Sequence, residues 1–260
     1  MTDGMRTLQL LTCIDQDFEE FACGLRTTVA SYDNVDLVIY DIDTRTPEKM
    51  ASAQYKARVS PTYKSLDCHN NIIANHKPSC ILDFLDRTGA PCLCIDADCL
   101  LTGRIDLAVF EGADLCITPR GVRESKAHHL RNGLLNSGVV FFANNERVRS
   151  FVAEWHEACM ASAVSDQKAL SDLLEGGIDF SRLGDQSCRG MTVRLLDPEV
   201  YNDTTCRTGI IFHCKSVGRL ARKYVAYRLL LLWLKYMPRF ASYVIGLNRR
   251  YRWIVYRQRG

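Results

Sequence analysis

Two aspartates one residue apart, Asp96 and Asp98, directly follow the apolar run Cys92-Leu-Cys-Ile95. Carboxylates at i and i+2 beyond a strand can converge on one divalent cation. Oxygen ligands suit Mg2+ or Mn2+, which keep positions open for substrate phosphates. The same spacing also describes a solvated loop in which Asp98 caps a turn. Other residues carry similar double readings. His213 ends the apolar stretch Ile211-Phe212, as a metal ligand or a satisfied core histidine. Asp166-Gln167 opens a helical pattern, where the aspartate is a proton-transfer group, an N-terminal cap, or both. Lys77 precedes Pro78 and offers a cation for phosphate or a surface charge, and Asn136-Ser137-Gly138 is a polar contact point or a strand-entry turn. His128 and His129 are adjacent and so point apart on any regular element, which suits a loop at an acceptor site better than a metal pair.

The elements around these residues alternate. Apolar runs at 8–14, 35–40, 92–95, 113–118, 138–142, 193–196 and 209–212 predict buried strands. Helical spacing of apolar residues covers 18–31, 78–85, 147–163 and 166–174. Pro78 starts the second of these helices, Gly89-Ala-Pro91 stops it, and Gly176-Gly177 stops the last. Strands alternating with helices imply a mostly parallel sheet covered on both faces, and ligands then sit beyond the carboxyl ends of the strands. Acids cluster at such ends, at 15–17, 41–43 and 96–98, which points to one site.

The chain has 260 residues, of which 47% are hydrophobic, and this excludes a collagen, a disordered tail or a polytopic membrane protein. Its net charge of +3 hides a division. The residues up to Asp203 sum to −10, whereas Thr204–Gly260 holds 13 Lys or Arg and no acid. The 12 cysteines form no C-x-x-C pair and lie mostly in apolar runs, so reduced structural thiols are expected. Residues 1–30 are rich in acids and lack a secretory pattern, which predicts a cytoplasmic chain.

Five segments in order resemble nucleotide-sugar glycosyltransferases of the GT-A fold, of the glycogenin-like and bacterial lipooligosaccharide type. They are Lys77-Pro-Ser-Cys-Ile-Leu-Asp-Phe-Leu85; Cys92-Leu-Cys-Ile-Asp-Ala-Asp-Cys-Leu-Leu101; Leu135-Asn-Ser-Gly-Val-Val-Phe-Phe142, followed by a helix reaching Trp155; Ser165-Asp-Gln-Lys-Ala-Leu170; and Ile211-Phe-His-Cys-Lys-Ser-Val-Gly-Arg219. They run from Lys77 to Arg219, and the resemblance as a whole extends over roughly residues 8–219. The last departs from the family pattern, with Ser216 where glycine is usual, while Arg219 keeps the basic position and Lys215 adds another.

The resemblance implies an α/β fold with a mostly parallel mixed sheet flanked by helices, and a metal, Mn2+ or Mg2+, held by Asp96, Asp98 and His213. As a Lewis acid it would stabilise a departing diphosphate. Lys77, Lys215 and Arg219 would neutralise remaining charge. Thr12, Cys13 and Asp15 or Asp17 would face the base or ribose, with Asp96, Asn136 and Ser137 also on the donor side. Asp166 and Gln167 would be catalytic, with Asp166 a general base under inversion or an orienting carboxylate under retention; retention is favoured. The expected donor is a nucleotide-diphosphate sugar, UDP-linked by preference, and the acceptor a glycan or glycolipid. A haloacid-dehalogenase-type phosphatase also uses an aspartate pair, but its usual Thr or Val after the second aspartate is Cys99 here. A sugar nucleotidyltransferase would need a Gly-rich phosphate loop near its start, which this sequence lacks.

Residues 1–219 thus form an expected catalytic domain and 220–260 a basic, aromatic segment. That segment interleaves Tyr and Trp with Lys and Arg around Leu229-Leu-Leu-Leu-Trp-Leu234, far short of a bilayer span. A cationic amphipathic helix on an anionic membrane surface explains it better than nucleic acid binding by a module without transferase activity. The expected location is the inner face of the cell membrane.

Overall fold

The computed structural model describes residues 7–43, 55–56, 74–121, 124, 130–161, 164–204, 209–215, 221–237 and 239–240. Ten strands are present among them: β1 (Leu8–Asp15), β2 (Val35–Asp43), β3 (Tyr55–Lys56), β4 (Cys92–Ile95), β5 (Cys99–Leu101), β6 (Leu115–Pro119), β7 (Leu135–Phe142), β8 (Gly184–Cys188), β9 (Met191–Leu195) and β10 (Ile211–His213). Eight form one sheet in the order β3-β2-β1-β4-β7-β6-β9-β8, and β10 pairs with β5 in a small second sheet. Strands β3, β2, β1 and β4 run parallel, while β7 is antiparallel to both β4 and β6. This is the mostly parallel mixed sheet that the resemblance implies.

Central strands are largely apolar because both faces are covered. Every residue of β4 and of β7 is buried. On one face lie α2 (Lys77–Thr88), α3 (Glu146–Ala161) and α4 (Asp166–Leu174), whose Phe84, Trp155 and Leu170 pack over Phe142. The buried Trp155 indole N–H donates to the Asp166 carbonyl at 2.9 Å, which ties α3 to the first residue of α4. On the other face lie α1 (Glu19–Val29) and the β5–β10 pair, with Phe110 and Phe141 stacked beneath them. Gly89 ends α2 in a left-handed conformation at φ 66, as the Gly-Ala-Pro break predicts.

Two expectations are corrected in detail. The cap of α4 is Ser165, whose side chain accepts from the Lys168 N–H, so Asp166 is a first-turn residue with its carboxylate left for other partners. The late region also contains β8, whose sequence Gly184-Asp-Gln-Ser-Cys188 gives no apolar signal because it is a sheet edge, and the one-turn helix α5 (Pro198–Tyr201).

The helix expected in the basic segment is α6 (Ala221–Tyr236). It packs on α1 across the expected boundary at residue 220: Tyr227 and Leu230 are buried, and Tyr224 and Arg228 both engage Glu20. A Cβ at Gly24 would collide with the Tyr227 hydroxyl, so this glycine permits the close approach. Val225, Leu229, Leu232 and Tyr236 are exposed at helical spacing on the opposite side. The helix is therefore apolar on two faces rather than one. No helix among the described residues is long and apolar enough to cross a membrane.

Candidate active site

The β4–β7 pairing sets the geometry. Beyond Ile95, the Asp96 N–H still donates to the Gly138 carbonyl at 2.8 Å, so the aspartate pair starts where β4 leaves the sheet beside the first residues of β7. The Cys214 N–H donates to the Asp98 carbonyl at 3.0 Å and brings the end of β10 against the same turn. His213 Nε2 then lies 3.5 Å from Asp96 Oδ2 and 3.3 Å from Asp98 Oδ1. This approach needs Gly138: a Cβ there would sit 2.8 Å from His213 Nδ1 and 2.9 Å from Asp96 Oδ2. The glycine of the Asn-Ser-Gly segment is thus the floor on which the metal-ligand candidates rest.

Lys77 reaches this floor from the start of α2. Its ammonium is 2.6 Å from Asp96 Oδ1 and 3.2 Å from Asp166 Oδ2, and it donates to the Ser137 carbonyl at 3.4 Å. Burial works against the Lys77 charge, but the Asp166 and Asp96 carboxylates hold its proton well above the usual lysine range. Asp98 shows the same competition: burial penalises its charge, yet His213, Lys215 and Lys77 keep it below the usual carboxylate range.

Among the described residues, one group of three potential metal-binding side chains is recognised by ligand-atom spacing, Asp98, Cys99 and His213, with ligand atoms within 4.8 Å of one another. Cys99 differs from the expected Asp96. Burial, followed by the Asp98 and Asp96 charges, pushes the Cys99 thiol well up, and a protonated thiol is a poor ligand for a hard cation. Asp96, partly exposed and aimed at the same histidine nitrogen, completes the better oxygen-rich set. The donor chemistry of Asp96, Asp98 and His213 therefore fits Mn2+ or Mg2+.

The remaining expected residues divide. Asn136 is buried, its Oδ1 accepting from the Gly138 N–H at 3.0 Å. Gln167 is on the other side of α4's first turn and donates to the Asn132 carbonyl at 2.9 Å, so here it holds a loop. Thr12 is fully buried and its hydroxyl meets no hydrogen-bond partner. Cys13 is half-buried, its thiol held up first by hydrogen bonding with Cys80. Asp15 accepts from the Asp17 and Phe18 N–H groups in the turn after β1; burial and the neighbouring Asp17 raise it. Lys215, expected at the diphosphate, forms an ion pair of 2.5 Å with Glu124. Arg219, His128 and His129 lie outside the described residues, as does the tail beyond Phe240.

Two contributors were not singled out by sequence. Glu124 is buried and receives Lys215, Arg120 and the Asn136 amide. Burial opposes its charge, but Lys215 and Arg120 hold its carboxyl below the ordinary range. Asn202, beyond α5, lies 2.8 Å from His213 Nδ1. Neither had a local signal: one is a single acid in a charged stretch, the other one of several asparagines. The described cysteines are all free and mostly buried.

A mixed sheet with carboxylates, a lysine and a histidine gathered at its strand ends is the α/β arrangement whose ligands bind beyond the carboxyl ends of the strands. The sequence pattern of the nucleotide-diphospho-sugar transferase family matches residues 40–220, more than half of the chain, and the chain belongs to that family. It is a nucleotide-sugar glycosyltransferase. Solved structures similar to it include the galactosyltransferase LgtC with donor and acceptor sugar analogues, at 13% identity over 74% of each chain, TM-score 0.48. GlyE of Streptococcus pneumoniae TIGR4 is similar at 16% identity over 74% of this chain and 46% of that one, TM-score 0.45. The bifunctional glycosyltransferase WbbM is similar at 13% identity over 88% of this chain and 45% of its own, TM-score 0.48. This chain spans less than half the length of those last two. No curated protein sequence matches it.

Proposed function

We propose that the chain transfers a hexose from a UDP-sugar to a glycan or glycolipid acceptor, with Mn2+ or Mg2+ held by Asp96, Asp98 and His213. The observation that carries this reading is the convergence of two carboxylates on His213 Nε2 at 3.5 and 3.3 Å. A bound cation supplies Lewis acidity toward the diphosphate. In the transfer, an acceptor oxygen bonds to the anomeric carbon as that carbon's bond to the diphosphate oxygen breaks, and the acceptor proton leaves with the diphosphate. Lys77, locked between Asp96 and Asp166, fixes both carboxylates and adds positive charge at the donor side. Lys77 already occupies Asp166 Oδ2 at 3.2 Å, so Asp166 fits an orienting role, which favours retention over inversion.

The setting is the cytoplasmic face of a membrane, with the segment 220–260 drawn to anionic lipid. Its 10 basic residues, the lack of acids and the exposed apolar side of α6 support this. The test is transfer or hydrolysis with a panel of sugar nucleotides, with and without Mn2+, by wild type and Asp98→Ala. Loss of Asp98 should lower turnover by about 1,000-fold, the several kcal/mol a Lewis acid contributes. Full activity in chelator, or in Asp98→Ala, refutes the metal assignment, and the anomeric configuration of the product decides retention.

A further inference from the structure

Building on the metal reading above, we propose that Asn202 is a positioning residue that makes His213 a metal ligand, by accepting the Nδ1 proton and so presenting a bare Nε2 to the cation. An imidazole can bind a metal through one nitrogen only if the other carries the proton, and neutral histidine must choose between two tautomers. His213 is 4% exposed, so water does not make that choice. The partner at Nδ1 is Asn202 Oδ1 at 2.8 Å. The Asn202 amide nitrogen donates to Thr118 Oγ1 at 2.9 Å, so the carbonyl end of the amide is the end left for the imidazole. Nε2 then aims its lone pair at the space shared with Asp96 Oδ2 and Asp98 Oδ1.

The backbone holds this relay in register. Asn202 leaves α5 with φ −154 and ψ 48, its N–H donating to the Pro198 carbonyl. The next residue bridges to β10: the Asp203 N–H donates to the Ile211 carbonyl and the His213 N–H to the Asp203 carbonyl, both at 2.9 Å. Gly209 packs so closely on this turn that a Cβ would lie 3.1 Å from the Glu199 and Val200 carbonyls, and its N–H donates to Asp203 Oδ2 at 3.0 Å. Side chains 202 and 213 are thereby fixed against one another, while Thr118 comes from β6 at the point where its pairing with β7 shifts register. Three separate elements meet to set one proton.

Outer partners of metal-bound histidines typically change metal affinity by about 10- to 100-fold when removed. The experiment is titration of the full chain with Mn2+ alone, free Mn2+ being read by its paramagnetic resonance signal, for wild type, Asp98→Ala, Asn202→Leu, Asn202→Asp and Thr118→Val. Asn202→Leu should weaken binding within that range. Asn202→Asp, which still accepts the Nδ1 proton and can accept from the Thr118 hydroxyl, should stay within about threefold of wild type. Thr118→Val, which frees the amide without removing it, should cost about fivefold, one hydrogen bond's worth. No Mn2+ binding by wild type, or equal binding by Asp98→Ala, defeats the metal reading itself. Binding lost in Asp98→Ala but kept in Asn202→Leu defeats this proposal alone. So does equal weakening by Asn202→Leu and Asn202→Asp at unchanged thermal stability. If Asn202→Leu does not fold, the aspartate and valine variants decide by the same criteria.

Discussion

The strand-end site and the C-terminal helix solve opposite problems. At the site, charged groups are buried and each meets a specific partner: Lys77 between two aspartates, Glu124 against Lys215, His213 between Asn202 and the carboxylates. In α6 the apolar groups exceed what the body can cover, and Leu229 and Leu232 stay near half exposed while Tyr227 is sealed against α1. A buried polar group is tolerable only when satisfied, so the site is rigid and sensitive to small changes. An uncovered apolar face costs the fold little and suits contact with something outside it. The two regions should therefore fail differently: the site through loss of geometry, the helix through loss of association.

The sharpest way to break the first half of this contrast is Gly138→Ala. One methyl group must displace the His213 ring or the Asp96 carboxylate, since a Cβ would lie 2.8 and 2.9 Å from their atoms. A misplacement of reacting groups by about 1 Å costs on the order of 100-fold. Mn2+ affinity and transfer should fall together by about that factor while circular dichroism stays native. A variant with normal affinity and turnover would mean that the close packing of β7 beneath the histidine does not matter.

Much of the fold was legible because the central strands are buried on both faces, and a run such as Cys92-Leu-Cys-Ile95 has no alternative as compact. The edge strand β8 was not, since its residues alternate between exposed and buried with almost no apolar content. The site divides along similar lines. Asp96, Asp98 and His213 stand at or just beyond strand ends, but local pattern left each with two readings, and it was the family resemblance that joined them into one ligand set. Lys215 was legible as a cation but not as Glu124's partner, because the two are 91 residues apart and only the approach of β10 to the segment after β6 joins them. Asn202 is recognisable only once the imidazole is seen to need a partner at Nδ1.

Glu124→Gln tests whether that pairing contributes stability, with an intermediate effect. Gln keeps the shape and an acceptor for Lys215 but loses the charge, so about 2 kcal/mol should be lost at neutral pH. The sign of its pH dependence follows from the lowered folded pKa of Glu124. Such a carboxyl stabilises the folded state above its unfolded pKa, and the contribution fades as pH falls through the folded value. Wild type should thus melt well above Glu124→Gln at pH 7, and the gap should narrow below the ordinary glutamate value of 4.5. A gap that widens on acidification would show that Glu124 is held neutral, contrary to its two cationic neighbours.

The smallest effect on the fold is expected from the exposed side of α6, and it is the most discriminating for the contrast. Leu229→Ser with Leu232→Ser changes side chains that are 46% and 45% exposed, so stability should move by about 0.5 kcal/mol or less. Leu230→Ala, one position away but 5% exposed, should cost about 2 kcal/mol or more by the same assay. Association should follow the reverse order. With vesicles containing anionic lipid, the double serine variant should float markedly less than wild type, and Leu230→Ala, while folded, should float normally. Vesicles of zwitterionic lipid alone should recover little of either protein, since the basic residues supply much of the attraction. If a chain ending at Arg219 floats as well as the full one, α6 and the residues after it do not make the membrane contact, and the uncovered leucines need another partner. If the serine variant loses stability instead of flotation, that side of the helix is covered in the folded protein, and the division between a sealed site and an open helix does not hold.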